Sequence, residues 1–221
     1  MSSPSSRNFV VIGLGTFGTT VAAELMRFGN YVMGIDRDEA VVNRRADMLS
    51  HAVIADGREE DAFKELGLDA YDVAVIAMGQ NVEASVVTAL SLKMAGVPQV
   101  WAKATSRMHH RVLTRIGVDR IIHPEEEMGR HIAQMLHNPL VRDYVSLGNG
   151  FHVVNVIVPA RLAGRSVSDL QLGKKFDLRC VGVMKGTEFK GDAASDCALA
   201  EDDRLLLLGE RAALRRFADS I

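Results

Sequence analysis

Short apolar runs alternate with longer amphipathic stretches along the first part of the chain, beginning with Phe9-Val10-Val11-Ile12. A continuous apolar run bounded by turn residues reads as a strand buried on both faces. Apolar positions three and four apart read as one face of a helix. On this basis residues 8–12, 31–35, 51–55, 71–77, 99–102 and 120–122 are predicted strands. Residues 16–28, 39–49, 59–66, 82–95 and 108–116 are predicted helices between them. This alternation predicts an α/β fold with a doubly wound parallel sheet, whose ligand crevice lies at the carboxyl ends of the strands.

The pattern changes near residue 125. Met128, Ile132, Met135 and Leu136 form an apolar stripe at helical spacing over 125–136. Asn138-Pro139 reads as an N-cap followed by proline at the first helical position, which predicts a second helix through Val145. The two helices form either a hairpin covering the sheet or a dimerisation arm. Gly148-Asn149-Gly150 is the expected hinge. Beyond it, 151–158, 180–184, 188–190 and 205–208 read as strands, and 212–218 as a last helix. Ser166 to Asp169 resembles the capping box of a short helix. These elements predict a small α+β module with mixed strand directions, which has little core of its own and gains from pairing with a copy. The domains are accordingly placed at 7–125, 126–147 and 151–221.

Between the first strand and helix stands Gly13-Leu14-Gly15-Thr16-Phe17-Gly18. In a strand–turn–helix context this G-x-G-x-x-G spacing aims backbone N–H groups and a helix N-terminus at a phosphate. Gly13 allows the tight turn, Gly15 lets a pyrophosphate approach, and Gly18 lets helix and strand pack closely. Asp36 ends the second strand about 20 residues further on, where such folds place an acid. Its carboxylate can accept from both ribose hydroxyls and repels a 2′-phosphate, which disfavours NADP. Arg37 can lay its guanidinium over an adenine face. The other reading of this segment is a solvated turn that caps the next helix.

Further candidates sit at the other strand ends. Asp56, before Gly57, either meets an adenine edge or caps the helix over 59–66. Met78-Gly79-Gln80 forms the exit turn of the fourth strand, where Gly79 permits close approach of backbone to ligand. Lys103 ends the fifth strand where phosphates should lie, or is an ordinary exposed lysine. His109 either reaches the phosphates or is structural. Glu125, Glu126 and Glu127 suit the positive end of a helix dipole. Glu125 alternatively holds a divalent cation against nucleotide phosphates.

Composition removes several function classes. A net charge of -2 with no basic block gives no electrostatic footprint for nucleic acid, and 5% aromatic content supplies few stacking platforms. No apolar run approaches the roughly 20 residues that span a bilayer, and Met1 to Ser6 lacks a signal-peptide core, so a cytosolic protein is expected. The two cysteines, Cys180 and Cys197, form no metal-spacing motif and read as reduced thiols. An oxidoreductase would need a substrate site, and neither a Tyr-x-x-x-Lys pair nor a metal-ligand cluster is present.

Over nearly its whole length the chain resembles the cytosolic gating subunits of bacterial Ktr and Trk potassium transporters, the RCK (regulator of K⁺ conductance) proteins. The resemblance is carried by residues 9–18, Asp36, Trp101-Ala102-Lys103-Ala104, Ile121-Ile122-His123-Pro124-Glu125 and Met128-Gly129. It implies a Rossmann-like N-lobe, a helical crossover and a small C-lobe. It implies a non-enzymatic subunit that binds ATP or ADP and gates a pore through differential affinity for two ring shapes. Homodimers would assemble into an octameric ring beneath a membrane K⁺-translocating subunit, peripheral at the inner face of the cell membrane.

Carried over by position, Asp36 and Arg37 would hold ribose and adenine, and Asp56, Gly57, Met78, Gly79 and Gln80 would line the adenosine side. Lys103, Ala104, Thr105 and His109 would lie near the phosphates. Glu125 would bind Mg²⁺ or Ca²⁺ near the γ-phosphate. Thr16 stands where members that distinguish ATP carry arginine, which brings AMP and NAD in as ligands. Gly173 and Lys174-Lys175 depart from the arginine-containing pattern of members that bind cyclic di-AMP. Two rival expectations remain: an NAD-dependent oxidoreductase, and a soluble nucleotide-binding oligomer with no membrane partner.

Overall fold

The computed structural model describes residues 6–58, 63, 65–79, 81–137, 140–191 and 197–221. It divides into two compact units between Pro124 and Glu125.

In the first unit β1 (Asn8–Ile12) runs through the middle of the sheet, with Val10, Val11 and Ile12 buried. It is joined by β2 (Tyr31–Asp36), β3 (His51–Ile54), β4 (Val73–Ile76), β5 (Gln99–Lys103) and β6 (Arg120–Ile122). The six strands lie in the order β3-β2-β1-β4-β5-β6, and every pairing is parallel. Both faces are apolar. Val10, Ile12, Ile35, Ala74 and Ile76 belong to one core, and Val11, Val32, Val73 and Val75 to the other. Burial on both faces is why these strands read as continuous apolar runs.

The connecting helices are α1 (Thr16–Arg27), α2 (Glu39–Arg45), α3 (Val82–Met94) and α4 (Arg107–Ile116). Each of the last three begins at a side-chain cap. Asp38 accepts from the Ala40 and Val41 N–H groups, Asn81 from Ala84, and Ser106 from His109. The helix predicted over 59–66 lies largely outside the described residues, although Phe63 is buried in the core. Strand order reverses between β1 and β4, so the connections leaving those strands diverge and open a crevice at their carboxyl ends.

The second unit begins with α5 (Pro124–His137) and continues through β7 (Val141–Gly148), β8 (Phe151–Ile157), α6 (Leu172–Phe176), β9 (Arg179–Lys185), β10 (Glu188–Lys190), β11 (Arg204–Glu210) and α7 (Arg211–Ser220). The five strands are ordered β10-β9-β11-β8-β7. All four pairings are antiparallel, rather than mixed as the sequence predicts. Leu205 and Leu207 point into the core with Val154, Val156, Val183 and Phe217, while Leu206 and Leu208 on the opposite face are half-buried. Cys180 and Cys197 are free thiols.

Two expectations fail here. The second helix through Val145 is instead strand β7, which pairs with β8 from Val141 to Gly148. Gly148-Asn149-Gly150 is a hairpin turn rather than a hinge. Gly148 faces Phe151, and the two residues between, Asn149 and Gly150, have φ of 50° and 82°. Positive φ at both central positions matches the right-handed twist of a strand pair, which is why Asn-Gly favours hairpins. With that helix gone, α5 forms no helical hairpin among the described residues. Of its stripe, Met128, Ile132 and Leu136 are exposed and Met135 is half-buried.

Candidate functional site

The site is built around the turn between β1 and α1. Gly13 has φ of +98°, a backbone conformation that favours glycine, and its N–H donates to the Ile35 carbonyl at 2.7 Å. A Cβ on Gly18 would lie 1.9 Å from the Gly13 carbonyl oxygen, so only glycine lets α1 pack this closely. Gly15 is different. A Cβ there would meet nothing within 4 Å, so this glycine borders open space. Gly15 is also the N-cap of α1 and offers no side-chain acceptor to the first N–H groups of the helix. Those groups, at Thr16, Phe17 and Gly18, have no acceptor within the helix and carry its positive dipole end. The Thr16 side chain is exposed at the first helical position.

Asp36 is tied into this turn. One carboxylate oxygen accepts the Leu14 N–H at 2.7 Å and the other accepts the Asp38 N–H at 3.0 Å. Each oxygen keeps a second lone pair, enough to accept a ribose hydroxyl. The helix cap is Asp38, so Asp36 is not consumed by capping α2. Arg37 is exposed beside it.

Met78 links the neighbouring turns. Its Cγ lies 3.0 Å from where a Gly13 Cβ would stand, and its methyl carbon 3.2 Å from that of Gly57. Gly57 is fixed by Thr88, a fully buried residue of α3 whose hydroxyl donates to the Gly57 carbonyl at 2.7 Å. Sequence reading missed Thr88, one of three hydroxyl residues on this largely apolar helix, with Ser85 and Ser91. Asp56 forms paired hydrogen bonds with the Arg58 guanidinium and also accepts the Arg58 N–H. This partner holds the Asp56 carboxyl down at about 2, and an adenine edge would compete with it.

At the phosphate side, Lys103 reaches across. Its Nζ stands 3.2 Å from the Cβ position of Gly79 and 5.7 Å from the centroid of the Phe17 ring. The Thr105 methyl borders the same point at 3.3 Å. Phe17, Gly79, Lys103 and Thr105 therefore converge, with a cation at their centre. Ala104 is buried and its N–H is committed to the Ile122 carbonyl at 2.9 Å. His109 is also buried, with Nδ1 turned toward the Thr105 N–H at 3.4 Å. Burial, and secondarily His123, lowers its pKa, so the ring is neutral and supports the Thr105 turn instead of offering charge. Gln80 lies outside the described residues. Glu125 belongs to the second unit, in the first turn of α5 with Glu126 and Glu127. Among the described residues no group of three or more His, Cys, Asp or Glu is placed to hold a metal ion.

The strand order, the filled Gly18 contact, the open Gly15 and the anchored Asp36 define the first unit as a dinucleotide-type nucleotide fold, followed in the chain by a small antiparallel α+β module. Residues 9–124 match the TrkA-N domain family and residues 151–221 the TrkA-C domain family. The chain belongs to this family of potassium uptake proteins. It is 35% identical to Ktr system potassium uptake protein A of Bacillus subtilis (strain 168), over 98% of each chain. It is 37% identical to the protein of the same name from Vibrio alginolyticus, over 92% of each. A solved structure described as the GsuK channel bound to NAD shares the fold, with a TM-score of 0.68 at 12% identity, over 99% of this chain and 40% of that one. No helix among the described residues is long and apolar enough to cross a membrane.

Proposed function

We propose that the chain is a cytosolic, non-enzymatic regulatory subunit of a membrane K⁺ transporter, and that an adenine nucleotide in the first unit sets its state. The observation that carries this reading is the cradle at Gly15. An open, uncapped helix N-terminus stands beside a carboxylate suited to an unphosphorylated ribose, with Lys103 held over Gly79. These residues fit a nucleotide with two or more phosphates. Asp36 takes the ribose, Arg37 the adenine face, Gly57, Met78 and Gly79 the adenosine side, and the α1 N–H groups and Lys103 the phosphates.

The relatives named as potassium uptake proteins match along essentially the whole chain, which supports a role in transport rather than in metabolism. ADP and ATP are the proposed ligands. Thr16 supplies a hydroxyl without charge, so discrimination of the γ-phosphate falls to other groups, and NAD, as in the GsuK structure, is the second ligand to try. Glu125 is the proposed Mg²⁺ or Ca²⁺ ligand, with nucleotide phosphates completing the coordination. The exposed stripe Met128, Ile132 and Leu136 on α5 supports pairing with a second copy, and such dimers are the proposed units of a ring.

Light scattering and small-angle X-ray scattering with ADP and then ATP test this reading. An oligomer whose radius differs between the two nucleotides is expected. A strict monomer of unchanged shape, or sustained NADH turnover with any metabolite, would sink it. If Glu125→Gln leaves a cation effect on ATP affinity intact, the cation assignment is wrong.

A further inference from the structure

The second unit contains a cavity of about 530 Å³ bounded by α5, β7, β8 and α7. Its size falls within the range of small-molecule sites, about 300–1,000 Å³. Much of the wall is aliphatic, from Val154, Val156 and Leu214. Two lining residues carry a buried polar atom with no hydrogen-bond partner among the described residues, the Tyr144 hydroxyl and Gln134 Oε1. Buried polar atoms are nearly always paired, so the Tyr144 hydroxyl, the one of the two that can donate, calls for an acceptor.

The cations of the lining differ in how they are balanced. Arg130 is bound by Glu126 at 2.6 Å, and Arg215 faces Asp219 at 3.8 Å. The Arg211 guanidinium forms no hydrogen bond or ion pair among the described residues. Its charge reaches Tyr144 and His152, whose rings lie 4.5 Å apart, and acts to lower both pKa values. Burial is the larger cause at His152 and keeps that ring neutral, so Arg211 is not competing with a second cation there. An exposed guanidinium that no carboxylate engages among the described residues, a buried hydroxyl donor with no acceptor and aliphatic walls thus share one cavity.

We propose that this cavity is a second ligand site, specific for a small amphiphilic carboxylate. The alkyl body would lie against Val154, Val156 and Leu214, and the carboxylate would accept from the Arg211 guanidinium and the Tyr144 hydroxyl. A planar carboxylate matches the guanidinium fork. The site is independent of the nucleotide crevice and does not rest on the transport reading.

Titration calorimetry of the full chain with sodium decanoate, below its micelle concentration, tests this. Saturable binding at one site per chain is expected, with decan-1-ol weaker by about tenfold or more. Arg211→Gln should weaken decanoate by about tenfold or more, and Tyr144→Phe by about threefold to tenfold. Tyr144→Phe should leave the thermal midpoint unchanged or raised, because its hydroxyl has no protein partner to lose. The proposal is overturned if no saturable heat appears, if decan-1-ol binds as tightly as decanoate, or if both variants bind decanoate like the wild type.

Discussion

The two units solve the same burial problem in different ways. The first buries both faces of a parallel sheet, with every strand pairing parallel and an apolar core on each side. Its special positions are glycines at strand ends, where backbone must approach backbone or ligand. The second leaves one face of an antiparallel sheet only half-covered and α5 with no buried residue. A sheet closed on both faces fixes the position of its crevice. A sheet open on one face leaves surface for partners. The division suits the regulatory role proposed above, in which the first unit reads a nucleotide.

The sharpest way to break this contrast is at Gly18. Gly18→Ala places a Cβ 1.9 Å from a backbone carbonyl that cannot yield. It should destabilise the first unit by about 3 kcal/mol or more and abolish nucleotide binding. Chemical denaturation followed at Trp101, a residue of β5, would register the loss. A wild-type midpoint would show that the turn is looser than described.

Next in size is Lys103→Ala. It should weaken ADP by about 1.5–3 kcal/mol while leaving adenosine nearly unchanged, because the lost contact is charge-assisted and falls on phosphate. Calorimetry with both ligands separates the effects, and equal losses would place Lys103 elsewhere.

Asp56 gives a smaller, pH-dependent effect. Its carboxyl titrates at about 2 in the fold against an ordinary 3.8. The stabilisation from Arg58 is therefore complete above pH 4 and is lost as pH falls toward 2. Allowing for solvent screening at the half-exposed Arg58, Asp56→Asn should cost about 1 kcal/mol at pH 7 and only a small fraction of that as pH falls through about 2. A cost that does not change with pH would assign the loss to another contact.

The smallest effect has the opposite sign. Gly129 lies inside α5, and a Cβ there would meet nothing within 4 Å. Gly129→Ala should stabilise the second unit by about 0.5–1 kcal/mol in thermal melts. Destabilisation would show that a neighbour presses against α5.

Much of the first unit could be read from the chain because double burial produces uninterrupted apolar runs, and because Gly13 and Gly18 are imposed by local geometry. Asp36 was legible for the same reason, since its place follows from the turn. The details of contact were not. Thr88 anchors Gly57 from 31 residues away, and Arg58 claims Asp56, which no spacing rule anticipates. His109 was open to a phosphate or a structural role, and spacing did not show that it is buried. In the second unit β7 was misread because Asn138-Pro139 imitates a helix start. Its strand character depends on pairing with β8. The signal that could have corrected it was Asn149-Gly150 between two stretches rich in Val, Tyr and Phe. The cavity beside Tyr144 had no sequence signal, because it forms only when α7 packs against three elements that lie more than 50 residues earlier in the chain.

The most direct test of the nucleotide site is a calorimetric comparison of ADP, NAD⁺ and NADP⁺ on the intact chain and on Asp36→Asn. One adenine nucleotide per chain is expected, with NADP⁺ weaker than NAD⁺ by about tenfold or more, and a gap that narrows in Asp36→Asn. Equal affinity for NAD⁺ and NADP⁺ in the wild type, or no saturable heat with any of the three, would contradict a site built on Gly15 and Asp36.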